Sequence, residues 1–216
     1  FKNWKQNEAT YSQHGEDNLV ESILPGGVSS FIDIGANDGV LFSNTFKFAK
    51  GGAYGLCVEP SLSSFRKLKL NHIFHPRVKC IHSAISNKKG NIYLNEAGYE
   101  MTLSKVSNIK SRGSKSIKCQ TFDNLIEKYP RFKKVDLLSI DVEGHEKEIL
   151  SQMKNKEFSS RLIIIECDKN SINTLLKETA LENYYPVYTN GVNTVISRKN
   201  QSLIDTKSIP IGFKEI

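Results

Sequence analysis

The chain has 216 residues, 38% of them apolar, and carries 30 Lys+Arg against 23 Asp+Glu, a formal net charge of +7. That length suits one medium-sized domain around a single core, and that apolar share excludes wholesale disorder. No apolar run approaches the ~20 residues that a membrane-spanning helix needs. No charged-then-apolar leader opens the chain, whose first residue is Phe1. The expectation is a single domain over 1–216, cut from a longer protein.

The helical and β-rich runs alternate. An N-terminal helical segment fills 1–28, with its helix at 16–24. The strands expected next are 30–34, 53–59, 78–85, 135–140 and 162–167, several of them continuously apolar, as strands buried on both faces are. Helices at 44–49, 61–71, 122–128, 146–153 and 172–179 fit around them, the second beginning at the capping residue Ser61. This alternation implies a parallel sheet covered by helices. The tail, 185–187 and 194–197 around Asn190-Gly191, reads as a hairpin, so the sheet is mixed with an antiparallel edge strand. Residues 87–116 break the pattern. A short strand fits 91–95, and the Ser-, Gly- and Lys-rich stretch 96–115 reads as a loop, with the whole of 87–116 a lid over an active site.

Cys57, Cys80, Cys119 and Cys167 are far apart, without a CxxC pair. They read as free core thiols in a reducing compartment, which points to the cytoplasm and away from a zinc site. The lysines are scattered and densest at 105–118 and 128–134. They form either a solvated basic face or a surface for a phosphate-bearing substrate or nucleic acid. No aromatic-interleaved RNA-binding sheet is visible.

The chemistry gathers at strand ends. The first strand runs into Asp33-Ile34-Gly35-Ala36-Asn37-Asp38-Gly39, where Gly35 lets the backbone approach a ligand closely. This turn is not G-x-G-x-x-G, so the dinucleotide fingerprint is missing. An acidic turn repels a pyrophosphate but suits an amino-acid ammonium group, which favours S-adenosylmethionine over NAD. The second strand ends in Val58-Glu59-Pro60, and a carboxylate there can accept from both ribose hydroxyls. The third runs into Ser83-Ala84-Ile85, the expected adenine rim. The fourth ends in Asp141-Val142-Glu143-Gly144-His145-Glu146, too many acids for a helix start alone.

These blocks, with Ser12-Gln13-His14-Gly15-Glu16-Asp17 near the start, resemble the FkbM-type S-adenosylmethionine-dependent methyltransferases in order and span residues 11–168. The resemblance implies an α/β, class I methyltransferase (Rossmann-like) fold: a seven-stranded mixed sheet with an antiparallel last strand and helices on both faces. It implies O-methylation, frequently of a sugar or polyketide hydroxyl. Ser12-Gln13 and Glu16-Asp17 would close over the cofactor from the N-terminal helix. The expected cofactor contacts are Gln13, Asp33, Gly35, Ala36, Asn37, Asp38, Gly39, Glu59, Pro60, Ser83, Ala84 and Asp141.

An aliphatic hydroxyl is a poor nucleophile near neutral pH, so a general base or a metal ion is needed. His145 is the best candidate base, Asp141 would orient the acceptor or act as the base if desolvated, and Glu143 would contact cofactor or acceptor. Asp141 and Glu166, at adjacent strand ends, form an alternative oxygen pair for Mg²⁺ or Mn²⁺. A sugar or glycan hydroxyl is the expected acceptor, and the basic lid admits a phosphorylated or nucleotide-linked one. A non-sugar small molecule, a nucleic acid and a non-catalytic module of the same fold are the other readings. A nucleic-acid acceptor is disfavoured because no N/D-P-P-Y/F tetrapeptide follows the fourth strand.

Overall fold

The computed structural model describes residues 10–95, 105–107, 114–142, 144–153, 157–179, 181–205 and 209–216. The chain forms, in order, α1 (Glu16–Ile23), β1 (Ser30–Ile34), α2 (Phe46–Lys50), β2 (Tyr54–Glu59), α3 (Leu62–Asn71), β3 (Val78–His82) and β4 (Ala84–Ile85). Then come β5 (Gly90–Asn95), β6 (Lys105–Ser107), β7 (Lys115–Gln120), α4 (Phe122–Lys128), a 3-10 turn at Pro130–Lys133 and β8 (Lys134–Ile140). The last elements are α5 (Glu146–Leu150), β9 (Ser159–Glu166), α6 (Lys169–Glu178), β10 (Tyr184–Thr189), β11 (Asn193–Arg198) and β12 (Lys214–Glu215).

The main sheet has eight strands in the order β12-β10-β11-β9-β8-β1-β2-β3. Strands β3, β2, β1, β8 and β9 run parallel, and β11 runs antiparallel to both β9 and β10. The seven-stranded mixed sheet implied by the resemblance is therefore present, with the two-residue β12 added at its edge. One expectation is corrected: within the C-terminal hairpin the strand that runs antiparallel to the parallel set, β11, is not at the edge. β11 is inserted between β9 and β10, because its apolar residues Val195 and Ile196, both fully buried, pack one on each face of the sheet.

Alternating residues along the central strands feed two cores. Ile32, Ile34, Leu138, Ile140, Ile163 and Ile165 face α4, α5 and α6. Phe31, Cys57, Leu137, Leu162 and Ile164 face α1, α2 and α3. Helices on both faces follow from strands apolar on both sides. The buried apolar area removed from water is what fixes this layering.

The expected strand 78–85 is broken at Ser83. β3 stays in the main sheet, while β4 joins a second, four-stranded sheet, β4-β7-β5-β6. That sheet also corrects the loop expected over 96–115. Lys105–Ser107 is a strand paired antiparallel with β5, which in turn pairs with β7. Residues 96–104 and 108–113 of the expected lid lie outside the described residues. All four cysteines are free thiols.

Candidate active site

A cavity of about 350 Å³ opens at the carboxyl ends of β1, β2, β8 and β9. In an open α/β sheet this is where ligands bind, and the size suits a nucleoside-sized molecule. It gathers Gln13, Asp33, Gly35, Ala36, Asn37, Glu59, Pro60, Ser83, Ala84, Asp141, His145 and Glu166 from the expected set. Glu143 lies outside the described residues.

Asp38 and Gly39 do not line it; they shape the turn. The Asp38 carboxylate accepts from the backbone N–H groups of Val40 and Leu41 at 2.9 and 2.8 Å. Gly39 sits against Leu68 and His72 of the α3 layer. Gly35, which lines the cavity, is also required by the packing of the strands. Its φ is +88°, and a Cβ there would stand 1.7 Å from the carbonyl oxygen of Asp141. The close approach is between the ends of β1 and β8, and Asp141 N–H donates to the Ile34 carbonyl at 3.0 Å.

The two strand-end acids are buried, each 5% exposed. Asp33 accepts from the Thr45 hydroxyl at 2.7 Å. Burial raises its carboxyl to about 6, against the lowering effect of hydrogen bonds from Thr45 and Ser139. Glu59 accepts from Ser61 N–H at 2.7 Å and Asn37 N–H at 2.9 Å. Burial raises it to about 7, those two bonds lower it, and the nearby charges of Asp33 and Asp141 raise it further. Four carboxyl groups, those of Asp33, Glu59, Asp141 and Glu166, line one partly desolvated cavity, an arrangement that favours a cationic ligand.

The N-terminal block holds the wall of the site. Asp17 accepts from Thr10, from Tyr11 N–H and from Ser12, and is fully buried. Glu16 accepts from His14 N–H and from the side-chain amides of Asn190 and Asn193 at 2.9 and 2.7 Å. Glu16 is thus a buried clamp that ties α1 to the β10–β11 turn, and Asp17 one that folds residues 10–12 back onto α1; of this block, Gln13 reaches the cavity. Glu146 has a similar part. Its carboxylate accepts from the N–H groups of Val142 and Gly144, holding the loop that presents His145 at the start of α5.

The rim adds residues not expected from sequence: Leu41, Phe42, Ser43, Asn44, Val192 and Asn193. Phe42 has φ +59° and is 48% exposed, an uncommon backbone state for a bulky residue. Val192 and Asn193 arrive because β11 pairs beside β9, with Asn193 opposite Glu166. The Asn-Gly signal was legible, but only the strand order shows which end of the sheet it caps.

The metal alternative has an incomplete donor set. Asp141 and Glu166 both line the cavity, yet among the described residues no group of three His, Cys, Asp or Glu side chains could hold a metal ion.

The FkbM methyltransferase domain model matches residues 33–182, from the Asp33 turn past the end of α6. The chain belongs to the FkbM methyltransferase family. No curated protein matches its sequence. Among solved structures it is similar to the METTL16 MTase domain, with TM-score 0.50 and 12% identity over 85% of this chain and 64% of that one. It is also similar to a TehB-like SAM-dependent methyltransferase from Corynebacterium glutamicum, with TM-score 0.48 and 10% identity over 87% and 89%. At such identities the likeness is one of fold, the class I methyltransferase fold. The FkbM family and this fold make the protein a methyltransferase with S-adenosylmethionine as its methyl donor. The acidic cavity fits a donor that carries a sulfonium and an ammonium charge.

Proposed function

We propose that this FkbM methyltransferase transfers a methyl group to a hydroxyl oxygen of a sugar or glycan, with His145 as the general base. The observation that carries the reading is that His145 lines the same cavity as Asp33, Gly35 and Glu59. A ring that can take a proton therefore lines the cavity that a bound donor would enter. In the cofactor site Glu59 would accept from the ribose hydroxyls, and Asp33 would face the amino-acid end. Ser83, Ala84 and Pro60 would border the adenine. S-adenosylmethionine, when bound, supplies an electrophilic methyl group. The chain's own contribution is then to hold the acceptor oxygen in line and take its proton as the oxygen–carbon bond forms. His145 receives that proton, Asp141 orients the hydroxyl, and Glu143 would contact cofactor or acceptor.

A sugar acceptor is supported by the rim. The exposed Phe42 offers an aromatic face to sugar C–H groups, while Asn44, Asn193 and Glu166 offer amide and carboxylate partners for hydroxyls. The second sheet, β4-β7-β5-β6, would carry the lid over 87–116, and its lysines would admit a phosphorylated or nucleotide-linked acceptor.

His145→Ala is expected to lower kcat by about 10²–10⁴ and leave cofactor affinity unchanged. The measurement is a mass-shift screen for single methyl additions across glycans, nucleotide-linked sugars and RNA. Near-normal turnover in the variant would remove His145 from the base role. Methylation of RNA without methylation of any glycan would overturn the acceptor assignment.

A further inference from the structure

The dense basic stretch at 128–134 plays no part in the active site. It lies at the other end of the sheet, where β2 and β3 begin. There two tyrosines are covered by cations. The Arg77 and Arg131 guanidinium groups stand 5.1 and 4.1 Å from the Tyr54 ring centroid. The Lys79 and Lys128 ammonium groups stand 5.2 and 5.6 Å from that of Tyr129. All four cations are exposed. Among the described residues none of them pairs with a carboxylate, whereas the neighbouring Lys133 pairs with Glu157. Together they line one shallow groove that contains no acid among its described residues.

Beside this groove three apolar side chains are exposed. Leu70 is 66% exposed, Ile73 64% and Phe74 88%. Exposed apolar residues on soluble proteins are normally scattered singly, so three within five positions form a patch. Phe74 precedes Arg77 by three residues, a span of at most about 11 Å, so the patch and the groove are one corner of the molecule.

Protruding apolar side chains flanked by cations that no carboxylate neutralises are what a peripheral bilayer-binding surface requires. The apolar groups enter the headgroup boundary and the cations meet lipid phosphates. A nucleic acid would account for the cations but leave Phe74 unexplained, and its bases would find the tyrosine faces already occupied. We propose that the turn between α3 and β3 docks this protein onto an anionic lipid surface. Ile73 and Phe74 insert, and Arg77, Lys79, Lys128 and Arg131 bind the headgroups. α3 spans about 15 Å from this corner to Ser61, beside Glu59, so the cavity mouth stays clear of the bilayer.

Co-sedimentation with phosphatidylglycerol-containing vesicles and with pure phosphatidylcholine vesicles tests this. Binding is expected to the anionic vesicles alone and to weaken with salt. Phe74→Ser should lower the partition coefficient about tenfold, and Lys79→Gln and Lys128→Gln about fivefold each, with cofactor affinity unchanged. With Trp4 replaced by Phe, Phe74→Trp should give a blue-shifted emission on anionic vesicles only. Equal binding to both vesicle types, no vesicle binding, or binding to poly(U) RNA without vesicle binding would each overturn the proposal.

Discussion

Gly35→Ala is expected to destabilise the protein by at least about 3 kcal/mol. Two effects add. The residue stands at φ +88°, and its new Cβ would meet the Asp141 carbonyl oxygen at 1.7 Å and carbonyl carbon at 2.8 Å. Neither side can yield cheaply, because Gly35 N–H donates to the Val58 carbonyl at 2.9 Å and Asp141 N–H to the Ile34 carbonyl at 3.0 Å. β1, β2 and β8 are tied together at this point. Gly26→Ala is the control. Gly26 has φ +79° with nothing within 4 Å of the added carbon, so only the left-handed cost of about 1 kcal/mol applies. Urea unfolding of the two variants separates clash from backbone strain. Equal losses would mean that the approach of β1 to β8 does not require glycine.

Cofactor affinity is expected to fall about tenfold per pH unit below about pH 7. Glu59 is raised to about 7 by its burial, and in the proposed cofactor site it would have to be ionised to accept from two ribose hydroxyls. The stability of the free protein follows the opposite course. Asp33, raised to about 6, and Glu59 both have folded values above their unfolded ones, so the native state binds protons more tightly than the unfolded chain. Their stabilising contribution is complete below the ordinary carboxylate range and is lost as pH rises through about 6 to 7. A bound cation offsets that loss. Thermal melts with and without S-adenosylmethionine check both signs: the ligand-induced rise in Tm should grow over the interval in which the Tm of the free protein drops. Glu59→Gln should flatten part of the drop in the free protein. A ligand-induced shift that is independent of pH would remove Glu59 from the cofactor site.

Much of this was legible because strand ends and turns have local chemistry. The runs 30–34 and 135–140 are apolar and stop at acids, so both the strands and the crevice at their carboxyl ends could be read directly. Glu59 was legible as an acid closing a strand about twenty residues beyond the glycine turn. What was not legible depends on contacts distant in sequence. Gly35 answers to Asp141, and Glu16 to Asn190 and Asn193, pairings that no window of sequence displays. Asp38 looked like a ligand contact because it sits in an acidic turn, yet its carboxylate is used by the N–H groups of Val40 and Leu41. The second sheet was missed because Ser83 breaks an otherwise continuous β-rich run, sending Ala84–Ile85 to pair with β7.

Calorimetric titration with S-adenosylmethionine, at a pH above the Glu59 value of about 7, tests whether the cofactor site is centred on Glu59. Saturable binding at a single site is expected, weakened at least about tenfold in Glu59→Gln and unchanged in His145→Ala. Saturable binding of NADH with none of S-adenosylmethionine, or wild-type affinity in Glu59→Gln, would contradict a cofactor site centred on Glu59.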